Sequence, residues 1–450
     1  MIAMKKIAAR ALLAVVSTVF YANFAWALLP IEHWQEDSGA RVWLVRSPAL
    51  PMVDLQVDFD AGSRRDPAAQ AGLASAVARM STKGVRALGA LPALDENQLG
   101  EAWADLGAQF DAGAERDGLA FSLRSLTEGD LLARSVALAA REIGEPVFDD
   151  AVWQRERARW QARIREADTR PATVAAKAFA AAVYGGHPYG QRPTPETLER
   201  IHRADLQAFH ARYLAACRAR VSIVGALTRS QAQQLVRQLL AQLPAQDAQA
   251  CAPLPGVPEV RALTRAVDER IAFASAQAHV LVGQPGFARR DPDFLALLVG
   301  NHILGGGGFT SRLTQEVREK RGLSYSVSSQ FSPGLSAGAF TVALQTRPDQ
   351  ARQALAVTRE VLARFVAEGP TEAELAAAKD NLVNGFALRI DSNRKLLANV
   401  VNIAWNDLPL DYLEHWGERV RALSAADVRA ALQRKLQPGR MVTVVVGGQP

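Results

Sequence analysis

Gly334-Leu335-Ser336-Ala337-Gly338 spells G-x-S-x-G, the pattern that holds a serine nucleophile on a strained turn between a strand and a helix, with backbone amides facing its oxyanion. Here the residues after it, Ala339 to Gln345, alternate as a strand and pair by pattern with Ser324 to Gln330. Ser336 therefore reads as the tip of a hairpin, a Gly/Ser-rich turn and no nucleophile. The run Gly305 to Gly308 offers free amides, but no Gly-Lys-Ser/Thr closes it and no G-x-G-x-x-G is completed, so a phosphate cradle is not expected. It reads as a flexible loop after an apolar helix, Phe294 to Leu304, with peptide contact as the functional alternative. Seven histidines are scattered. His202 and His210 share one helix but stand about 12 Å apart along it, too far for one ion, and His187 in Gly186-His187-Pro188-Tyr189-Gly190 reads as a turn residue. Two cysteines, Cys217 and Cys251, exclude a Cys-rich zinc ribbon and leave one bridge open, given Cα atoms within about 7 Å.

The elements around these residues repeat. Arg64-Arg65-Asp66-Pro67 returns as Arg289-Arg290-Asp291-Pro292, each copy after a strand-like stretch and before a helical one. Ala204-Asp205-Leu206, Arg212-Tyr213-Leu214 and a strand from Arg220 to Gly225 are echoed in the same order by Ala426-Asp427-Val428, Arg434-Lys435-Leu436 and a strand from Met441 to Gly447. Matches in order at nearly one offset imply a duplicated unit. In the first copy strands are expected at 41–46, 53–59, 109–114 and 119–126, and helices at 68–80, 130–143, 149–167 and from 203. In the second, helices are expected at 349–368 and 371–390. Hairpin-paired strands with runs of helices between them predict an α+β fold of two homologous domains, each a mainly antiparallel sheet with helices packed on one face. The proline-rich stretch 244–260 reads as an extended linker between domains at 28–243 and 261–450.

The chain has 450 residues, 49% hydrophobic and 22% charged, which suits globular domains and excludes global disorder. Its net charge of +6 is concentrated at the start: Lys5, Lys6 and Arg10 precede an apolar stretch, Ala11 to Phe24, and Ala25-Trp26-Ala27 is a small-x-small cleavage signature. A signal peptide over 1–27, export to a periplasm and no membrane span after cleavage are the expectations. The remaining arginines alternate with acids, as in Arg155-Glu156-Arg157 and Arg318-Glu319-Lys320-Arg321, so nucleic acid is not an expected partner.

Ala61-Gly62-Ser63-Arg64, Ala71-Gly72-Leu73-Ala74 and Met80-Ser81-Thr82-Lys83-Gly84 resemble the opening helix of the pitrilysin and mitochondrial-processing-peptidase family of zinc peptidases. Gly186 to Val224 resembles the end of that family's first domain. Ser311-Arg312-Leu313 and Glu316 to Ser326 resemble the most recognisable segment of its second. The resemblance implies a half of a clam-shell chamber, and it implies an active site that this chain lacks. The family's H-x-x-E-H motif places two zinc-binding histidines one turn apart, with a glutamate base. The aligned positions are Ser75, Ala78 and Arg79, and the third ligand, seven residues beyond the acid that Glu156 resembles, becomes Arg163. Zinc is therefore not expected in this chain.

The same resemblance assigns Arg318 and Tyr325 to the pair that reaches toward the substrate carbonyl. Guanidinium and phenol are apt donors to a developing oxyanion. The bland alternative pairs Arg318 with Glu316 or another surface acid and packs Tyr325 on the hairpin. The resemblance thus implies the non-catalytic subunit of a heterodimeric peptidase: a homologous partner holds zinc, and this chain binds peptide or small-protein substrate and supplies Arg318 and Tyr325. A homodimeric, inactive peptide-binding scaffold is the other expectation.

Overall fold

The computed structural model describes residues 30–244 and 251–448. The expected signal segment 1–27 lies outside the described residues, as do 245–250 of the expected linker. Strands β1 (Ile31–Gln35), β2 (Arg41–Arg46) and β3 (Met52–Phe59) are followed by a two-residue ribbon, β4 (Gly84–Val85) with β5 (Leu94–Asp95). Then come β6 (Gln109–Ala114), β7 (Leu119–Leu126) and β8 (Arg220–Gly225). The second half contributes β9 (Val267–Ile271), β10 (Ala278–Pro285), β11 (Ser326–Phe331), β12 (Ala339–Thr346) and β13 (Val442–Val446).

The larger sheet has the order β1-β2-β8-β3-β7-β6 and the smaller β11-β12-β10-β13-β9. Leaving β1 aside, these are one topology written twice. β2 pairs β8 in parallel as β9 pairs β13, and every other neighbour is antiparallel. The repeated sequence is thus a repeated α+β unit. In both, alternation sends one face inward: Val53, Leu55, Val57 and Phe59 of β3 enter one core, and Phe340, Val342 and Leu344 of β12 enter the other.

Each unit inserts five α-helices between its last two strands, and the third of the five crosses to the other unit. Pro171–Tyr184, from the first half, packs Ala175, Phe179 and Val183 on Val442, Val444 and Val446 of β13. Its equivalent, Asn393–Trp405, packs Leu397, Val400 and Ala404 on Trp43, Val45 and Val224 of the first sheet. The remaining helices cover their own sheet, as the pattern predicts, so the exchange adds a second helical layer to each. Gly283 in β10 makes room for it: a Cβ there would sit 2.0 Å from the Phe340 carbonyl oxygen and 2.9 Å from Phe179 Cζ.

Polar contacts reinforce the junction. Asp407, at the end of the exchanged helix, takes Arg41 at 2.9 Å and also pairs with Arg290, while Arg220 lies at 3.9 Å. The hairpin turn at Ser336 is buried against the first unit. The Ser336 amide donates to Tyr189 Oη at 3.0 Å, Tyr189 donates to Asp117 at 2.6 Å, and the Leu335 amide donates to the same carboxylate at 2.9 Å. Strand β12 follows, so the motif is a hairpin turn, as expected, and the turn also docks on the first unit. His187 is structural too: Nδ1 accepts from the Tyr189 amide (3.1 Å) and Nε2 donates to Pro258 O (2.8 Å).

Three local expectations are corrected. The helix expected over 68–80 is interrupted by Gly72 at φ 110°, leaving a turn at Ala68–Gln70 and a helix Leu73–Ser81. The helix expected over 371–390 stops at Asn384, followed by a separate turn at Ala387–Arg389. The glycine run, expected as a flexible loop after a helix ending at Leu304, begins inside a wide helical turn, His302–Gly306, after the helix Phe294–Asn301. A Cβ on Gly305 would stand 2.5 Å from the Ser329 nitrogen of β11.

Cys217 and Cys251 form a disulfide, their Cα atoms 6.0 Å apart. Arg218 donates to Ala252 O (2.7 Å) and Arg65 to Pro255 O (2.5 Å), so the described part of the connector is stitched to the first unit.

Phe179→Ala should cost about 3–5 kcal/mol in urea unfolding, the usual range for emptying a buried aromatic site. Because its contacts lie on the other unit's sheet, amide exchange should accelerate across Val442–Val446. Loosening confined to the first unit would contradict that coupling.

Candidate functional site

The helix Leu73–Ser81 buries Leu73, Ala74, Ala76, Val77, Ala78 and Met80, leaving Ser75 and Arg79, four residues apart, on its other side. Asp66 seats its first turn by accepting the Gly72 and Ala74 amides at 2.8 Å each. Burial nonetheless pushes that carboxyl up to about 7. On the helix Asp150–Ala167, residues 156, 160 and 163 share one face by their spacing of four and three. The structure brings the two helices together at this face. Arg79 Nη1 stands 3.7 Å from Glu156 Oε2, and its guanidinium lies 5.4 Å from the Trp160 ring centroid.

Glu156 is buried and is approached also by Arg159 at 2.9 Å and Arg155 at 3.7 Å. Burial lowers the Arg79 pKa, the nearby Arg163 charge lowers it further, and Glu156 opposes both. Arg79, Glu156 and Arg163, singled out separately along the sequence, thus gather at one place, with Ser75 and Ala78 on the same short helix as Arg79.

That place does not fit zinc. A tetrahedral site needs imidazole, thiolate or carboxylate lone pairs. Ser75 offers a neutral hydroxyl, Ala78 nothing, and Arg79 and Arg163 are cations without an acceptor atom. Glu156 is surrounded by three arginines. Among the described residues no three His, Cys, Asp or Glu side chains stand close enough to hold a metal.

The second unit presents the opposite picture. Arg318 lies on a wide helical turn, Thr314–Glu319. The chain then reverses at Gly322 (φ 61°), buries Leu323, and enters β11 through Tyr325. Ser324 Oγ donates to either Ser326 O (2.6 Å) or Gln345 O (2.7 Å), pinning the strand entry to the hairpin mate. Tyr325 is 81% exposed, so it does not pack on the hairpin. The Arg318 guanidinium lies 5.3 Å from its ring centroid and 5.0 Å from that of Phe309, itself 66% exposed. Glu316 is occupied by Lys320 and Arg321, each at 2.6 Å. Arg318 instead has Glu319 at 3.3 Å, a solvent-facing contact of little strength.

Sequence reasoning missed three contributors. Phe309 looked like loop because it follows the glycines. Trp160 carried a readable signal, one turn after Glu156. Glu374 lies 62 residues beyond its partner: Arg312 grips it through two bonds of 2.7 Å, reaches Gly369 O at 3.2 Å, and lies 4.7 Å from the Phe365 ring centroid. This clamp anchors the segment that carries Arg318. Burial pushes the Glu374 carboxyl up, but the Arg312 and Thr371 hydrogen bonds outweigh it and hold the group at about 2.

Residues 41–194 match the model of the insulinase peptidase family M16, and residues 200–382 match that of the peptidase M16 inactive domain. A peptidase M16 inactive domain from Pseudomonas fluorescens is 33% identical and superposes with a TM-score of 0.87, covering 93% of this chain and 98% of that one. The chain belongs to the M16 peptidase family. An uncharacterized zinc protease of Mycobacterium tuberculosis is 27% identical over 416 residues, 91% of each chain. The periplasmic protease PqqL of Escherichia coli shares the fold at 19% identity and a TM-score of 0.78, matched over 94% of this chain and 46% of its own. Within the M16 family this chain matches the inactive-domain model over its second half, and Ser75, Ala78, Arg79 and Arg163 offer no donor set for zinc.

Two outcomes follow. The variant Ser75→His, Ala78→Glu, Arg79→His, Arg163→Glu should take up zinc stoichiometrically by metal analysis, where the parent chain takes up none. A metal-free variant would mean that the vacated site lies elsewhere. The second concerns acid. The folded pKa of Glu374, about 2, lies below its ordinary 4.5, so its stabilisation is present above pH 4.5 and is lost as pH falls toward 2. Glu374→Gln should flatten the fall in stability across that window by on the order of 2 kcal/mol, read from denaturation midpoints at stepped pH.

Proposed function

We propose that this chain is the non-catalytic subunit of a two-chain M16 peptidase of the periplasm, exported by cleavage after Ala27. In this reading a homologous subunit with an intact H-x-x-E-H motif holds the zinc. This chain closes the other side of the chamber and presents Arg318 and Tyr325 to the peptide bond under attack. The observation that carries the proposal is the contrast between the two units: the positions aligned with the zinc motif hold Ser75, Ala78, Arg79 and Arg163, whereas the half-buried Arg318 and the exposed Tyr325 keep their spacing, their anchored segment and their access to solvent.

The chemistry follows from the donors. A guanidinium and a phenol, held ready on a clamped turn, can meet the negative charge that develops on a scissile carbonyl, and such prepaid orientation is most effective where water is excluded. Substrate would extend the sheets. β6 ends the larger sheet and β11, which begins beside Tyr325, ends the smaller. Each offers an unpaired row of backbone donors and acceptors, which gives affinity with little sequence preference. Two further observations support the reading. The E. coli protein is matched over under half its length by this chain, so a partner of similar size would complete a comparable particle. The Cys217–Cys251 disulfide suits an oxidising compartment.

Mixing the purified mature chain with its H-x-x-E-H homologue should raise peptidase activity above that of the homologue alone. Arg318→Ala should lower kcat/KM of the complex by roughly a hundredfold, the scale of losing one oxyanion donor, and Tyr325→Phe should lower it by a smaller factor. No stimulation, together with tight peptide binding by a metal-free homodimer, would replace this reading with the scaffold one.

A further inference from the structure

The arginines at the vacated zinc positions are more than a lost site. Arg79 makes no side-chain hydrogen bond among the described residues, and its Nε is buried without a partner. Its nearest acid, Glu156 at 3.7 Å, is already bonded to Arg159 at 2.9 Å. Arg163, two turns along from Glu156 on the same helix face, is exposed and makes no ion pair among the described residues. Two guanidiniums thus stand near one another with their donors unspent. Leaving a buried donor unmade costs about 1–3 kcal/mol, and like charges side by side add to that cost. The repulsion between the two is relieved by the arrival of an anion, which the exposed part of the Arg79 side chain and Arg163 can reach.

We infer that Arg79 and Arg163 form a binding site for a peptide carboxylate, beside the Trp160 ring. The class of anion follows from the donors. Planar guanidinium forks match the two oxygens of a carboxylate and grip them bidentately, and the Trp160 face next to Arg79 offers apolar cover for the residue that carries it. Ser75, one turn before Arg79 on the same side of its helix, adds a neutral hydroxyl. The charge inversion from metal site to cation site therefore changes what is held, from an ion that activates water to an end or side chain of the peptide itself. This inference rests on the reading of the chain as a peptide binder, but it assigns a second contact point that the Arg318–Tyr325 pair does not supply.

The test uses the mature chain alone and calorimetric titration, so it is independent of whether a partner is stimulated. One short Val- and Ala-rich peptide is prepared as the free acid, as the C-terminal amide, and as an amide with a glutamate near its end. The free acid should bind roughly tenfold more tightly than the plain amide at low salt. Arg163→Gln, at an exposed position where folding is safe, should erase that preference, as should Arg79→Gln. A glutamate-bearing amide that recovers the affinity, and loses it again in both variants, would place the carboxylate on a side chain and still support the site. Equal affinity of all three peptides, or a preference that survives Arg163→Gln and disappears with Arg318→Ala, would overturn it.

Discussion

Neither sheet is covered by its own unit alone. Phe179 and Val183 lie under β13, and Leu397 and Val400 lie under the strands that hold Trp43 and Val224. Remove either helix and the other unit's sheet exposes apolar surface, so the two units share one folding problem. Each buried side chain of that size contributes about 1.5–3 kcal/mol, and several on each side outweigh the cost of orienting two units. The ion cluster at Asp407 and the Tyr189–Asp117 dock of the Ser336 turn are then details of alignment, set within a junction that apolar packing has already made.

Within that frame the two units treat charge differently. In the first, a helix pair sets three arginines, Arg79, Arg155 and Arg159, around the buried Glu156, with the exposed Arg163 on the same helix face as the glutamate, and the local field favours anions. In the second, the cations that flank Arg318 are individually anchored: Arg312 by Glu374, Lys320 and Arg321 by Glu316. Within the segment 312–321, Arg318 is left with a weak, solvent-facing acid and two aromatic neighbours. Anchoring the neighbours keeps the segment in place and leaves a single guanidinium free to be recruited, an arrangement in which order and availability come from different residues.

The duplication was legible because it is written twice in residue order, and the strands because they alternate over buried faces. Glu156 and Arg163 share a helix face by their spacing of seven, but Arg79 could be joined to them only through the family resemblance, since it comes from a separate helix, Leu73–Ser81, and no spacing links the two. The helix exchange was not legible. Pro171–Tyr184 is alanine-rich on all sides, so its pattern names no partner, and the surface that receives it belongs to the other unit. Gly72 was missed because a left-handed backbone is decided by the neighbours, Leu198 and Trp160, that crowd its missing Cβ. Phe309 and Glu374 were invisible for the same reason: each acts on a residue across a turn or a helix, and local propensity holds no record of that distance.

The bond between Cys217 and Cys251 closes 34 residues of sequence into a ring that contains β8, the helix Arg229–Leu239 and the start of the connector. The peptide backbone is therefore not the sole covalent path from one unit to the other. A single scission anywhere inside the ring would leave both units on one framework, held by sulfur where the chain had been cut. The ring marks the stretch of this chain where damage is least able to take the two halves apart.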